Sequence, residues 1–236
     1  TGVQTCALPI CSCFAGETGT PVTLAGRIRH NDCVTPYEKA RVELWHCDAK
    51  GVYDNNSEDF RYRGTAYTDQ QGRYAFNTIM PVTYDVGNGQ TRPAHFHMMI
   101  TAEGYQPLVT QLYFTGDKYI PTDPGAASPA AKRRILSVKQ LGNGKLGVDY
   151  DVSMSPELLV EPEALGRLAG KYSSPSKIED TIELFKKDST LWMKNDVFGD
   201  RLKYTGNNTF IFPGMPEGYG ASLVFDLKEG GIAMIM

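Results

Sequence analysis

The sequence predicts an all-β chain, a β-sandwich over residues 20–155 followed by a small antiparallel β domain over residues 160–236. Three observations predict it. Short runs rich in β-branched and aromatic residues recur at near-even spacing, clusters of Gly, Asn, Asp and Pro separate them, and only one short stretch near residue 161 reads as a helix. Many short strands punctuated by turns suit a sandwich better than an alternating α/β fold.

Taken in order, strands are expected at Leu24 to Arg29, Ala40 to Trp45, Gly64 to Thr68, Tyr74 to Thr78, His95 to Thr101 and Leu108 to Phe114. Turn clusters such as Asp69-Gln70-Gln71-Gly72 and Ala102-Glu103-Gly104 part them. Ile120 to Ala131 reads as a Pro/Ala-rich loop; Arg134 to Lys139 and Leu146 to Met154, joined by Gly142-Asn143-Gly144, complete the first domain. Ser155-Pro156-Glu157 is a linker, and Glu161 to Leu168 a short helix with a proline near its start. Strands are then expected at Ile182 to Lys187, Thr190 to Lys194, Arg201 to Tyr204, Thr209 to Phe212, Ser222 to Leu227 and Gly231 to Ile235. The apolar ending Ala233-Met234-Ile235-Met236 leaves open that this domain is cut short.

Chemistry concentrates in Arg92-Pro93-Ala94-His95-Phe96-His97. On an extended strand, residues two apart share a face, so His95 and His97 can offer both imidazoles to one ion while Phe96 packs behind them. The chain has four histidines, and His30 and His46 lie far upstream, so such a site must be finished with oxygen or sulfur ligands. A cupin-like site would need a nearby downstream Glu and a later third His. Glu103 stands six residues past His97 and no histidine follows, so that pattern fails.

A longer pattern fits. Ala40-Arg41-Val42-Glu43-Leu44-Trp45-His46-Cys47-Asp48-Ala49-Lys50-Gly51-Val52-Tyr53 is followed by Phe60-Arg61-Tyr62-Arg63-Gly64 and Thr68-Asp69-Gln70-Gln71-Gly72-Arg73-Tyr74. After the histidine motif comes Thr110-Gln111-Leu112-Tyr113-Phe114-Thr115-Gly116-Asp117. From about Leu24 to Ile120 this order of motifs resembles the intradiol ring-cleavage dioxygenases of the protocatechuate 3,4- and catechol 1,2-dioxygenase type. The resemblance implies one ferric ion per chain held by Tyr53, Tyr84, His95 and His97. Phenolate is a hard anionic donor that suits a highly charged ion, and the metal itself must displace the phenol protons.

The resemblance also implies roles. Tyr84 is the tyrosinate released when a catechol chelates the metal, and it then accepts a substrate proton; Tyr53 stays bound. Arg92 favours charge on the ring carbon that O2 attacks, and Gln111 hydrogen-bonds in the same pocket. The expected reaction opens a catechol between its two hydroxyl-bearing carbons to a cis,cis-muconate-type diacid, with no organic cofactor. The other reading kept open is a metal-free, transthyretin-like or cell-surface binding module on the same sandwich.

Each residue alone has an ordinary explanation. A strand His-x-His is commonly a satisfied core or surface pair, Tyr53 a turn tyrosine, Tyr84 a post-proline aromatic, Arg92 a solvated residue held extended by Pro93, and Gln111 an outward strand residue. Tyr62, Tyr67, Tyr74 and Tyr113 are expected to pack in or against the sheets. Thr91 stands where the family usually carries a bulky aromatic, which leaves the ring substituents open. With no N-terminal helical segment visible, the reading leans to the protocatechuate branch or its single-chain relatives.

Net charge is −3, with 24 Lys and Arg against 27 Asp and Glu, which points to no nucleic-acid partner. No apolar run approaches the roughly 18 residues of a transmembrane helix. A homo-oligomer is left open. Residues 1–10 resemble translated sequencing adapter and are set aside as non-native. Cys11-Ser12-Cys13 leaves open a lipoprotein signal ending with Cys13 acylated, which tilts the expected location to extracytoplasmic. Some secreted relatives carry a cysteine pair near Cys33 and Cys47, so a disulfide there is left open. The region after Ala169 resembles a small lipocalin-like domain through its Leu168-Ala169-Gly170-Lys171-Tyr172 start and its Asn207-Asn208-Thr209-Phe210 turn.

Overall fold

The computed structural model describes residues 10–12, 18–174, 177–195, 200–212, 222–228 and 231–235. It divides into two compact units, with the change at Pro156–Glu157. The strands of the first unit are β1 (Ile10–Ser12), β2 (Pro21–Arg29), β3 (Arg41–Trp45), β4 (Arg63–Tyr67), β5 (Arg73–Ile79), β6 (Tyr84–Gly87) and β7 (Gln90–Arg92). After them come β8 (His95–Thr101), β9 (Leu108–Phe114), β10 (Ile135–Leu136), β11 (Lys139–Gly142), β12 (Lys145–Asp149) and β13 (Val152–Ser153). One sheet has the order β1-β5-β2-β12-β11, with β13 also on β2; the other is β10-β9-β8-β3-β4.

Period-two alternation makes these sheets a sandwich. Along β3 and β8 every second side chain is buried, so Val42, Leu44, Phe96, Met98 and Ile100 turn inward to meet Leu24, Tyr74 and Phe76 of the opposite sheet. Burying each such large apolar side chain contributes roughly 1.5–3 kcal/mol. The consequence for function is positional. His95 and His97 alternate with that core row, so they stand on the outer face of their sheet, near the end where Trp45 closes β3.

The six expected strands of the sandwich are present, and β8 and β9 have the bounds read from the sequence. Four segments differ, the first being Arg134 to Lys139, expected as one strand but divided between β10 in one sheet and the start of β11 in the other. Residues 84–92, for which no strand was expected, form the hairpin β6–β7, because Asn88 and Gly89 both take positive φ (53° and 74°) and make the two-residue turn that matches strand twist. The Pro/Ala-rich loop holds two 3-10 turns, Ile120–Thr122 and Pro129–Arg134, each with proline in its first two positions. The stretch expected as one strand from Leu146 to Met154 is broken into β12 and β13 where Asp151 turns to accept from Arg27 N and Arg29 Nη2.

The second unit starts with helix α1 (Pro162–Leu168) and two four-stranded antiparallel sheets. The first sheet holds β14 (Gly170–Ser174), β15 (Lys177–Lys187), β16 (Thr190–Met193) and β17 (Asp200–Arg201). The second holds β18 (Lys203–Gly206), β19 (Thr209–Ile211), β20 (Ser222–Lys228) and β21 (Gly231–Ile235). Leu165 and Leu168 of the helix join Leu184, Leu191, Phe210 and Phe225 in one core.

Cys33 and Cys47 are both free thiols, so the disulfide left open above is not made. Cys33 lies exposed at positive φ in the turn after β2, whereas Cys47 is buried beyond β3 with its thiol against the Val82 carbonyl. The whole of β3 lies between them. Cys13, on which the lipoprotein reading rests, and residues 1–9 of the 1–10 stretch set aside as adapter lie outside the described residues; Ile10, the last of that stretch, opens β1. Among the described residues no helix is long and apolar enough to cross a membrane.

Candidate metal centre

The two histidines arrive on β8 with their rings 4.8 Å apart and Nε2 atoms 3.2 Å apart. His95 is fixed by Pro93, whose carbonyl lies 2.7 Å from Nδ1. A carbonyl can only accept, so Nδ1 carries the proton and Nε2 presents its lone pair. His97 is held by stacking on Trp45, its cross-strand neighbour, with ring centres 5.1 Å apart and an interplanar angle of 10°.

The phenols arrive from two separate turns. The Asp48 carboxylate accepts from Lys50 N and Val52 N at 2.8 and 2.9 Å, winding the chain through Gly51 so that Tyr53 follows directly. Tyr84 opens β6 opposite Arg92, on the hairpin that Asn88-Gly89 closes. Tyr53 Oη lies 3.3 Å from His95 Nε2, and Tyr84 Oη lies 3.5 Å from Tyr53 Oη. The four sequence-derived ligands therefore form a continuous cluster with successive donor separations of 3.2–3.5 Å, the spacing of atoms that share one ion at about 2 Å.

The electrostatics suit a cation. Burial lowers His95 to about 4, only partly opposed by the Pro93 carbonyl, and burial with the charges of His95 and Arg92 lowers His97 to about 3. Both rings are thus neutral at neutral pH, as ligands must be. Burial, then the Tyr84 hydroxyl, drives the Tyr53 phenol far above its ordinary value, so only a metal can remove its proton. Among the described residues no group of three or more His, Cys, Asp or Glu is placed to hold an ion. His46 takes no part. Its Nδ1 donates to the Cys47 carbonyl at 2.7 Å and its Nε2 lies 2.8 Å from Thr78 Oγ1, a satisfied core histidine.

Arg92 and Gln111 join the cluster from one side. Arg92 Nη2 donates to Gln111 Oε1 at 3.0 Å, and Gln111 Nε2 lies 3.4 Å from His97 Nδ1. Tyr113, expected only to pack, also donates its hydroxyl to Gln111 Oε1 at 2.6 Å. Sequence reasoning missed Asp123 and Trp45. Asp123, only 4% exposed, accepts from Arg92 Nε at 2.9 Å. Its one signal was an acidic residue in an otherwise Pro/Ala-rich loop, too weak to single out. Trp45 was read as a strand end, although register with His97 was implicit in pairing the two strands.

A family model described as Dioxygenase matches residues 10–156. The chain is 34% identical over 145 residues to chlorocatechol 1,2-dioxygenase of Rhodococcus opacus, covering 54% of this chain and 55% of that protein. It is 32% identical over 159 residues to 6-chlorohydroxyquinol 1,2-dioxygenase of Cupriavidus pinatubonensis, covering 61% and 56%. Among solved structures, 3-chlorocatechol 1,2-dioxygenase of Rhodococcus opacus 1CP superposes with TM-score 0.58 at 25% identity, over 66% of this chain and 68% of that one. The dioxygenase domain of a carbohydrate-binding fusion from Streptomyces sp. SirexAA-E gives TM-score 0.52 at 27% identity, over 61% and 86%. The chain spans about half the length of the curated relatives it matches.

Proposed function

The chain belongs to the intradiol ring-cleavage dioxygenase family, and we propose that it binds ferric iron and opens a catechol-type diol with O2 to a cis,cis-muconate-type diacid. The observation that supports the reading is the run of donors from His97 to His95 to Tyr53 to Tyr84, each 3.2–3.5 Å from the next. When bound, ferric iron supplies a Lewis-acid centre on which a catecholate chelates and becomes open to dioxygen. The carbon–carbon bond between the hydroxyl-bearing carbons breaks, both oxygen atoms end in the two carboxyls, and no external reductant is required.

The chain's own groups divide the work. Tyr53, Tyr84, His95 and His97 would hold the metal. Tyr84, its oxygen 3.5 Å from that of Tyr53, would bind as a phenolate and on release by the substrate would accept the substrate proton. Arg92 sets a fixed planar cation beside the ring, where it stabilises negative charge that develops during the reaction. Gln111, its carbonyl oxygen engaged by Arg92 and Tyr113, turns its N–H2 toward the His97 side.

The relatives named above act on chlorocatechol and 6-chlorohydroxyquinol by name, which supports a catechol-type substrate. The lean toward the protocatechuate branch rested on an N-terminal helical segment not being visible, and that carries no weight in a chain spanning half of its relatives. A metal-free binding module is not favoured, since recognition alone gives no reason to bring two tyrosines and two neutral histidines together. For the second unit we propose a lipocalin-like domain with no catalytic role, its part in packing, substrate shielding or oligomer contact left open.

The test is to load the protein with ferric iron, record the visible spectrum before and after anaerobic catechol, and then follow oxygen uptake and diacid formation with catechol, chlorocatechol, hydroxyquinol and protocatechuate. A tyrosinate band that shifts with catechol, followed by turnover, is expected. A colourless protein holding stoichiometric zinc overturns the proposal.

A further inference from the structure

We propose that Asp123 is the positioning residue of the ring-opening site, its two carboxylate oxygens holding separately the loop it sits in and the guanidinium of Arg92. This rests on the functional reading just given. The division is visible atom by atom. Oδ1 accepts from Gly125 N at 3.0 Å and Ala126 N at 2.8 Å, closing the turn between the two 3-10 segments. Oδ2 accepts from Arg92 Nε at 2.9 Å, across 31 residues of chain. The Asp123 side chain is 3% exposed and that of Arg92 14%, so the pair is largely shielded from solvent.

Geometry explains the need for it. A guanidinium is a planar fork whose orientation is set only when more than one edge is held. Asp123 takes the Nε edge of Arg92 while Gln111 takes Nη2, which fixes the plane relative to His97. The backbone contributes at the other end, since Arg92 ends β7 opposite Tyr84. Charge matters as well. A half-buried guanidinium without a counter-ion would draw water or the substrate oxygens, whereas one paired to a buried carboxylate keeps its place.

Asp123→Asn separates the two oxygens. The amide oxygen can still accept from Gly125 N and Ala126 N, so the turn is kept, but the amide N–H2 then faces Arg92 Nε–H and the clamp is lost. The expected result is a fall in kcat of about 10–100-fold, the usual cost of removing a group that orients a catalytic one, with KM and the anaerobic catechol shift little changed. In an Arg92→Ala background the same substitution should change kcat less than about 2-fold, because there is no guanidinium left to orient. A 15N NMR readout on the iron-free protein, independent of turnover, is the Arg92 Nε–H signal: sharp and protected in wild type, broadened or lost in Asp123→Asn.

Full kcat in Asp123→Asn, or an equal loss in the Arg92→Ala background, overturns the proposal in favour of a loop-folding role. Unchanged Nε–H protection overturns the clamp itself. Should wild type fail to turn over any catechol, it is the functional reading that falls, and the clamp is still decided by the NMR signal.

Discussion

Gly51 passes so close to Tyr84 that a Cβ placed on it would stand 2.7 Å from the Cβ of Tyr84. The two residues come from different turns, one delivering Tyr53 and the other Tyr84, so their contact sets the separation of the two phenols. Gly51 also has φ of +83°, which an L side chain adopts at a cost of about 1–2 kcal/mol. Gly51→Ala should therefore do two things. Urea unfolding should show a loss of at least that size, and the iron-loaded protein should lose part of its visible absorption as Tyr84 is pushed off the site. A substitution that lowers stability while leaving the spectrum intact would mean that Tyr53, not Tyr84, gives way.

Colour tests the ligands directly. Tyrosinate bound to ferric iron absorbs in the visible, so loaded protein should be burgundy to red-brown. Tyr53→Phe should bleach most of the band and weaken iron retention on dialysis, since Tyr53 Oη stands 3.3 Å from His95 Nε2 and 3.5 Å from Tyr84 Oη. His97→Ala should release iron as well. Absorption and metal content measured on the same samples distinguish loss of a chromophore from loss of the metal.

The metal-free protein should lose stability on acidification in a particular window. The folded state holds His95 and His46 at about 4 and His97 at about 3, each below the ordinary 6.5, because burial disfavours the charged ring. The unfolded chain takes up these protons as pH falls through 6.5 and the folded chain does not, so stability present above pH 6.5 drains away as pH falls toward 4. Glu43, raised by burial, works the other way, one carboxyl against three imidazoles. Asp32, lowered to about 2 by its bonds to Thr35 and Val34, acts only below its ordinary 3.8. Urea midpoints at pH 7, 6, 5 and 4 should fall steadily, and a flat profile would show the histidines to be solvated.

The parts of this molecule written in local pattern were legible before the structure. β8 and β9 have the expected bounds because alternating apolar residues lie between Pro93, Gly104 and Pro107. His95 and His97 were legible as a candidate pair from their spacing on a strand, whereas Tyr53 and Tyr84 came only through resemblance, since nothing in the composition links either to His95. The β6–β7 hairpin was overlooked although Asn88-Gly89 is a strong turn signal, because flanking Gly87 and Gln90 hide any alternation. Asp123 could not have been read at all. Its partner lies 31 residues away, and a contact across that distance is fixed by tertiary folding of the two 3-10 turns, not by local sequence.

Catalysis and binding separate at Arg92. Its guanidinium donates to Asp123 and Gln111, and a substitution there keeps the backbone pairing of residue 92 with Tyr84, so the metal site should stay assembled. Burial alone would lower its pKa, but the Asp123 hydrogen bond and charge outweigh that and raise it, so the cation persists at every working pH. Arg92→Ala should then lower turnover by at least ~10²-fold, as loss of one electrostatic stabiliser commonly does. The spectral shift on anaerobic addition of catechol should survive. Arg92→Lys should recover little, because a point charge cannot bridge Asp123 and Gln111 as a planar fork does. The paired measurements are the anaerobic shift and the initial rate of oxygen uptake for each variant. An unchanged rate would take Arg92 out of the mechanism, and a vanished shift would make it a residue that binds substrate.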